Sequence, residues 1–224
     1  MASSGIMLDL VDLSTRSIDV SLSIPSACAD ELAARFDVPR PQREFIPLES
    51  EELAWLRAAM GIDIEKPDIA GVLRGASWLD DLPYELHTGR ELRLMLKGKK
   101  PLAVFFGQDV ESDPWIFPED VFTPWVERGR LVQRVQVLAG VRRLLYALPA
   151  EGWRIDAYLK MWDDGEKCGW NDEFERREGE LLGYEQWQIE YWLKARKVRF
   201  HAAEQHAATD VHAPGPLALR RGRG

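Results

Sequence analysis

His87 is the histidine best placed for chemistry, because the other three, His201, His206 and His212, fall near the C-terminus. It stands directly before Thr88-Gly89-Arg90-Glu91. That spacing fits a capping box, in which the Thr hydroxyl accepts from the Glu amide and the Glu carboxylate reaches back. Peptide dipoles at a helix start disfavour a protonated imidazole. A neutral imidazole beside a guanidinium suits proton transfer, with His87 as the shuttle and Arg90 as an anion clamp. The carboxylate for such a set would be Glu173, or Asp172 beside it, from the polar stretch Trp170 to Glu180. This defines one reading: a small-molecule enzyme with His87, Arg90 and Glu173 as catalytic candidates. It requires all three in one concave pocket.

Other chemistries lack their residues. Cys28 and Cys168 are far apart, and neither belongs to a C-x-x-C pair. The tail histidines are spaced by five and six, so they do not share a helical face as zinc-binding pairs do. Carboxylate metal bundles add histidine at Glu-x-x-His spacing, which does not occur. No metal site and no cofactor are expected. Phosphate-loop, dinucleotide and nucleophile-elbow patterns are missing from the sequence as well.

The tryptophans point elsewhere. Eight of nine lie between Trp78 and Trp192. Tryptophan is enriched at the energetic centres of protein interfaces. The segment 107–120 carries Trp115, Ile116 and Phe117 between Pro114 and Pro118, and reads as a loop that presents apolar side chains. Trp170, Asp172 and Trp187 border the acid-rich stretch. The leading expectation is therefore a protein-binding protein that acts through an aromatic loop and an acidic face. Its contact residues are Trp115, Phe117, Trp170, Asp172 and Trp187, and its partner is a protein with a basic surface.

Residues Ile189 to Lys197 resemble the end of a homeodomain recognition helix over nine positions. Ala195 stands where that family needs its base-reading Asn, and Glu185 and Glu190 would face phosphate. The net charge of -8 points the same way, so nucleic acid is not an expected partner.

These residues need elements to hold them. Ile18, Val20, Leu22 and Ile24 alternate with polar residues, which is a strand period. Ile6, Leu8 and Leu10 offer a partner strand across Ser14-Thr15-Arg16. Helices are expected from Ser26 to Phe36 and from Ser50 to Gly61, with each serine as the cap. Pro39, Pro41 and Pro47 make an extended connector, and Pro67-Asp68 opens a poorer helix weakened by Gly71 and Gly75. Further on come a helix after Thr88, a buried strand at 102–106, a short helix after Thr123-Pro124, and a hairpin of 131–138 with 142–148. Helices at 151–162, at 172–182 capped by Asn171, and from about Tyr184 to Lys197 complete the pattern.

The order is not a repeating strand–helix–strand pattern, so the expected class is α+β: a small mixed sheet packed by several helices, with a helical N-terminal section carrying a short β-hairpin. Charge and tryptophan content divide the chain into 1–77 at -6, a Trp-rich main domain 78–198 at -4, and a tail 199–224 at +2, expected to be mobile. With 46% hydrophobic and 29% charged residues over 224 positions, the chain can bury a core. No apolar run reaches the ~20 residues of a membrane span. Asp9 and Asp12 interrupt the first apolar stretch, which excludes a signal-peptide pattern, and the expected location is the cytoplasm.

Overall fold

The computed structural model describes residues 5–41, 44–63, 66, 68–108, 117–138 and 140–207, the last nine by backbone only. The class is α+β, with helices and two small antiparallel sheets. The chain forms two compact units, Met1–Arg93 and Leu94–Gly224, divided later in the sequence than the composition break at 77/78.

In the first unit, β1 (Ile6–Asp12) and β2 (Ser17–Ile24) form the expected hairpin. α1 (Ser26–Phe36) and α2 (Ser50–Met60) follow the expected spans, but both caps sit one residue earlier. Pro25 precedes α1, and Glu49 caps α2 in a reciprocal pair with Glu52. A carboxylate at that position satisfies the first amides and complements the helix dipole.

The main correction concerns the segment after Pro67, expected as a weak helix. It forms β4 (Ile69–Gly75), which pairs antiparallel with β1 from Ile6↔Gly75 to Asp12↔Ile69. β3 (Ile46–Leu48) adds to its far side, where Pro47 is tolerated in a short edge strand. The sheet order is β2-β1-β4-β3. Gly71 has a packing role in this strand. A Cβ there would come within 2.7 Å of Leu53 Cδ1, so the missing side chain lets α2 close onto the sheet. Leu8, Leu10, Leu32, Leu56 and Leu73 fill the resulting core, each 2% exposed or less.

The dividing line falls inside the six-residue helix α3 (Glu91–Leu96). In the second unit, β5 (Leu102–Gln108), β6 (Val132–Leu138) and β7 (Val141–Ala147) form a sheet in the order β5-β7-β6. Both pairings are antiparallel, so the expected mixed sheet is replaced by an antiparallel one. The tight β6–β7 hairpin dictates that sense, and β5 joins β7 in the same way. α4 (Glu119–Glu127) starts before Thr123-Pro124, with Glu119 and Asp120 at its positive end and Pro124 inside it.

α5 (Trp153–Cys168) runs past the expected stop at 162 and packs Ile155, Tyr158 and Met161 on Leu102, Val104, Leu145 and Ala147 of the sheet. On the opposite sheet face Phe122 of α4 stacks on Tyr146 with ring centres 4.2 Å apart. α6 (Asp172–Leu182) starts at the Asn171 cap as expected. α7 (Gln186–Ala207) continues through residues expected in the tail. No glycine or proline interrupts it, and its last turns are rich in strong helix formers. Residues 208–224 lie outside the described residues.

α6 and α7 turn at Gly183, which takes φ +88°. A Cβ at this position would lie 2.2 Å from Pro101 Cδ, part of a rigid ring. Gly98 takes φ +68° with open space around it. Gly98→Ala therefore incurs only the left-handed backbone cost, whereas Gly183→Ala adds overpacking. Gly183→Ala is expected to lose roughly 1–3 kcal/mol more than Gly98→Ala in urea titration. Equal losses would contradict the close approach of Pro101.

Candidate functional site

The polar stretch after Trp170 folds into a clamp between α6 and α7. Asn171 Oδ1 accepts from the amides of Glu173 at 2.8 Å and Phe174 at 3.3 Å, which fixes the first turn of α6. Glu175 then points inward and is 6% exposed. Its carboxylate accepts from Trp170 Nε1 at 2.8 Å, Trp192 Nε1 at 3.3 Å and the Arg196 guanidinium. Arg196 also donates to Asp172 at 3.2 Å, and Lys197 pairs with the same carboxylate. The Lys197 hydrogen bond, helped by the charges of Lys197, Arg196 and Arg176, holds the Asp172 carboxyl below its usual range. Buried Glu178 accepts from the Tyr158 hydroxyl at 2.9 Å.

Trp170 and Asp172, expected as contact residues, thus join elements of their own unit. The Trp170 indole lies over Gly165, where a Cβ would stand 2.7 Å away. It stacks on Phe174 and leans on Trp162, with ring centres 5.5 and 5.1 Å apart. Trp162 donates to Glu166 at 2.9 Å, under the guanidinium of buried Arg143. Phe117 is also buried, at 4% exposure, beneath Arg142. Trp115 and Ile116 lie outside the described residues.

The expected acidic face is largely matched by cations. Besides Asp172 and Glu175, Glu190 pairs with Arg176 at 2.7 Å and Glu180 with Arg177 at 3.4 Å. Exposed apolar side chains in the second unit lie mainly on β6 and on α7. Ile189 and Leu193 are buried at 4% and 2%. On the opposite side Trp187 is 48% exposed, Tyr191 41% and Val198 69%. Residues spaced by three and four share a helical face, so Trp187, Tyr191, Lys194 and Val198 form one stripe. Trp187 Nε1 donates to Glu185 at 2.8 Å, which orients the ring.

His87 and Arg90 are both buried, at 9% and 8% exposure. They flank a turn in which the Arg90 amide donates to the His87 carbonyl at 3.0 Å and Gly89 takes φ +75°. The turn is tied to β2, since the Ile18 amide donates to the Gly89 carbonyl at 2.6 Å. Arg90 donates to Ser21 Oγ at 2.9 Å and pairs with Glu85. Glu173 is exposed and belongs to the second unit, so neither unit holds the proposed catalytic set by itself.

One ionic group joins residues far apart in the sequence. Asp9, 2% exposed on β1, accepts from Arg74 Nε at 2.7 Å, and Arg74 also binds Asp80. The signal was an aspartate within an apolar run, but its partner lay in the segment read as a helix. Burial pushes the Asp80 carboxyl up, and hydrogen bonds from Arg74 and Ser77 outweigh it, so the net direction is down.

A cavity of about 10 Å³ lies among Ile6, Leu32, Val38 and Leu73 in the first unit, room for about one water. Among the described residues, no group of three His, Cys, Asp or Glu is arranged to hold a metal ion, and no helix is long and apolar enough to cross a membrane. No family model, curated protein or solved structure matches the chain.

Replacing Glu175 by Ala strips an acceptor from two indoles and a guanidinium. Arg196 keeps some access to water and to Asp172, so the expected loss is roughly 1–3 kcal/mol in thermal or urea unfolding, with a changed near-ultraviolet tryptophan signal. The depressed Asp80 contributes stability above the ordinary carboxylate range of about pH 4, and loses it as pH falls through the lowered pKa. Asp80→Asn is accordingly expected to flatten the acid limb of a stability–pH curve; an unchanged limb would contradict the triad.

Proposed function

We propose that the chain is a protein-interaction protein whose second unit docks the outer stripe of α7 into an apolar groove on a partner. The observation that carries this reading is the two-sided character of α7. Its inner face is already occupied by Ile189, Trp192, Leu193 and Arg196 against its own unit. A surface helix normally turns charged residues outward on the other side. This one presents Trp187, Tyr191 and Val198, with Lys194 the single charge among them. Anchors four, seven and eleven residues apart are how a helix addresses a groove. Tryptophan and tyrosine are the residue types that concentrate binding energy.

The net charge of -8 supports a partner with a basic surface, through faster encounter at low salt. The free thiols Cys28 and Cys168 support a reducing compartment, and the cytoplasm is the proposed location. The aromatic segment around Trp115 remains a proposed second contact.

Photo-crosslinking side chains placed at positions 187 and 191 are expected to give the same adduct in cells. One placed at Lys160, whose side chain is 77% exposed on α5, is expected not to. Trp187→Ala should leave unfolding unchanged within about 0.5 kcal/mol. It should weaken the crosslinked partner's affinity tenfold or more, as removal of a central anchor does. Adducts equally frequent at all three positions would sink the reading.

A further inference from the structure

Beyond the α7 stripe, the second unit carries a different open feature. Among the described residues β6 is hydrogen-bonded on one side only, to β7, and forms the edge of the three-stranded sheet. Alternate residues of such a strand turn their N–H and C=O groups outward, ready to pair. Natural edges are usually protected by proline, lysine, inward charges or a bulge. The segment Val132-Gln-Arg-Val-Gln-Val-Leu138 contains no proline, lysine or acid, and its register with β7 is regular throughout. Its apolar residues are open: Val132 36%, Val135 46%, Val137 54% and Leu138 52% exposed.

We infer that this edge pairs with the β6 of a second copy of the chain, antiparallel about a two-fold axis at Val135, to give a continuous six-stranded sheet. The occupant follows from the charge and side-chain pattern of the strand itself. With the axis at Val135 all seven residues overlap. Val132 then faces the second copy's Leu138, and Val135 faces its own equivalent. Arg134, the one charged residue, faces the neutral Gln136 of the other copy. Shifting the axis to Arg134 would set two guanidinium groups opposite each other, which is destabilising. Within its own chain Arg134 pairs with Asp156, and Gln136 accepts from Arg143 at 3.1 Å, so both side chains are already oriented. A two-fold edge contact of this kind is isologous and closes at the dimer.

Sedimentation of the full chain over a range of concentrations tests the assignment. A reversible monomer–dimer equilibrium is expected. Val135→Lys puts two ammonium groups at the axis and should raise the dissociation constant about tenfold or more. The side chain is exposed, so an unchanged circular dichroism spectrum should accompany it. Gln136→Arg should weaken the dimer by facing Arg134 of the other copy, and Gln136→Glu should tighten it at low salt but not at high salt. Trp187→Ala should leave the dimer intact, which separates this contact from the α7 reading. A chain that stays monomeric at every concentration, or a dimer indifferent to Val135→Lys, would overturn the proposal. A dimer abolished by Trp187→Ala alone would do the same and assign self-association to α7.

Discussion

The joining of α6 to α7 centres on one buried carboxylate. A lone ionised group at the position of Glu175 would be strongly unfavourable, because low-polarity surroundings penalise the charged form. It is tolerated because three donors converge on it: the indoles of Trp170 and Trp192, and the guanidinium of Arg196. Those donors come from the linker before α6 and from successive turns of α7. Each donor arrives only if its element is in place, so the carboxylate ties the folding of the linker, α6 and α7 together. Buried polar groups of this kind are worth little on balance when satisfied and cost a great deal when broken. They discriminate between arrangements more than they add stability.

The same network takes up much of the charge of the acid-rich stretch. Asp172 and Glu175 of α6 pair with Arg196 and Lys197 of α7, and Glu190 of α7 pairs with Arg176 of α6, so much of their charge goes to holding the two helices together. Apolar side chains are left open as well. α7 carries aromatic residues outward at one stripe, and β6 carries valine and leucine at an open edge. Both are departures from the usual rule that the solvent side of an element is polar.

Much of the architecture was legible in the sequence, for identifiable reasons. The first hairpin showed itself by strict alternation from Ser17 to Ile24. α6 showed itself by Asn171 followed by acids, and α2 by its closing Gly61. β4 was not legible, because its two glycines weaken any local pattern. Their meaning is tertiary: Gly71 leaves room for Leu53, a residue whose position no local rule supplies. α7 was read too short because its terminal turns lack an apolar period, although their composition favours helix. The site was legible in composition but not in role. Trp170 and Asp172 stand out in the sequence as contact candidates, and the structure gives both of them contacts inside their own unit; sequence spacing cannot tell an indole that faces water from one that lies over a glycine. The Asp9–Arg74–Asp80 triad depended on the missed strand and went unseen with it.

The seat of Trp170 over Gly165 ties together positions far apart in chemical type. Any larger residue at 165 displaces the ring, and a displaced ring withdraws a donor from Glu175. Glycine at 165, tryptophan at 170 and glutamate at 175 are therefore energetically coupled, so the effects of changing them are not additive.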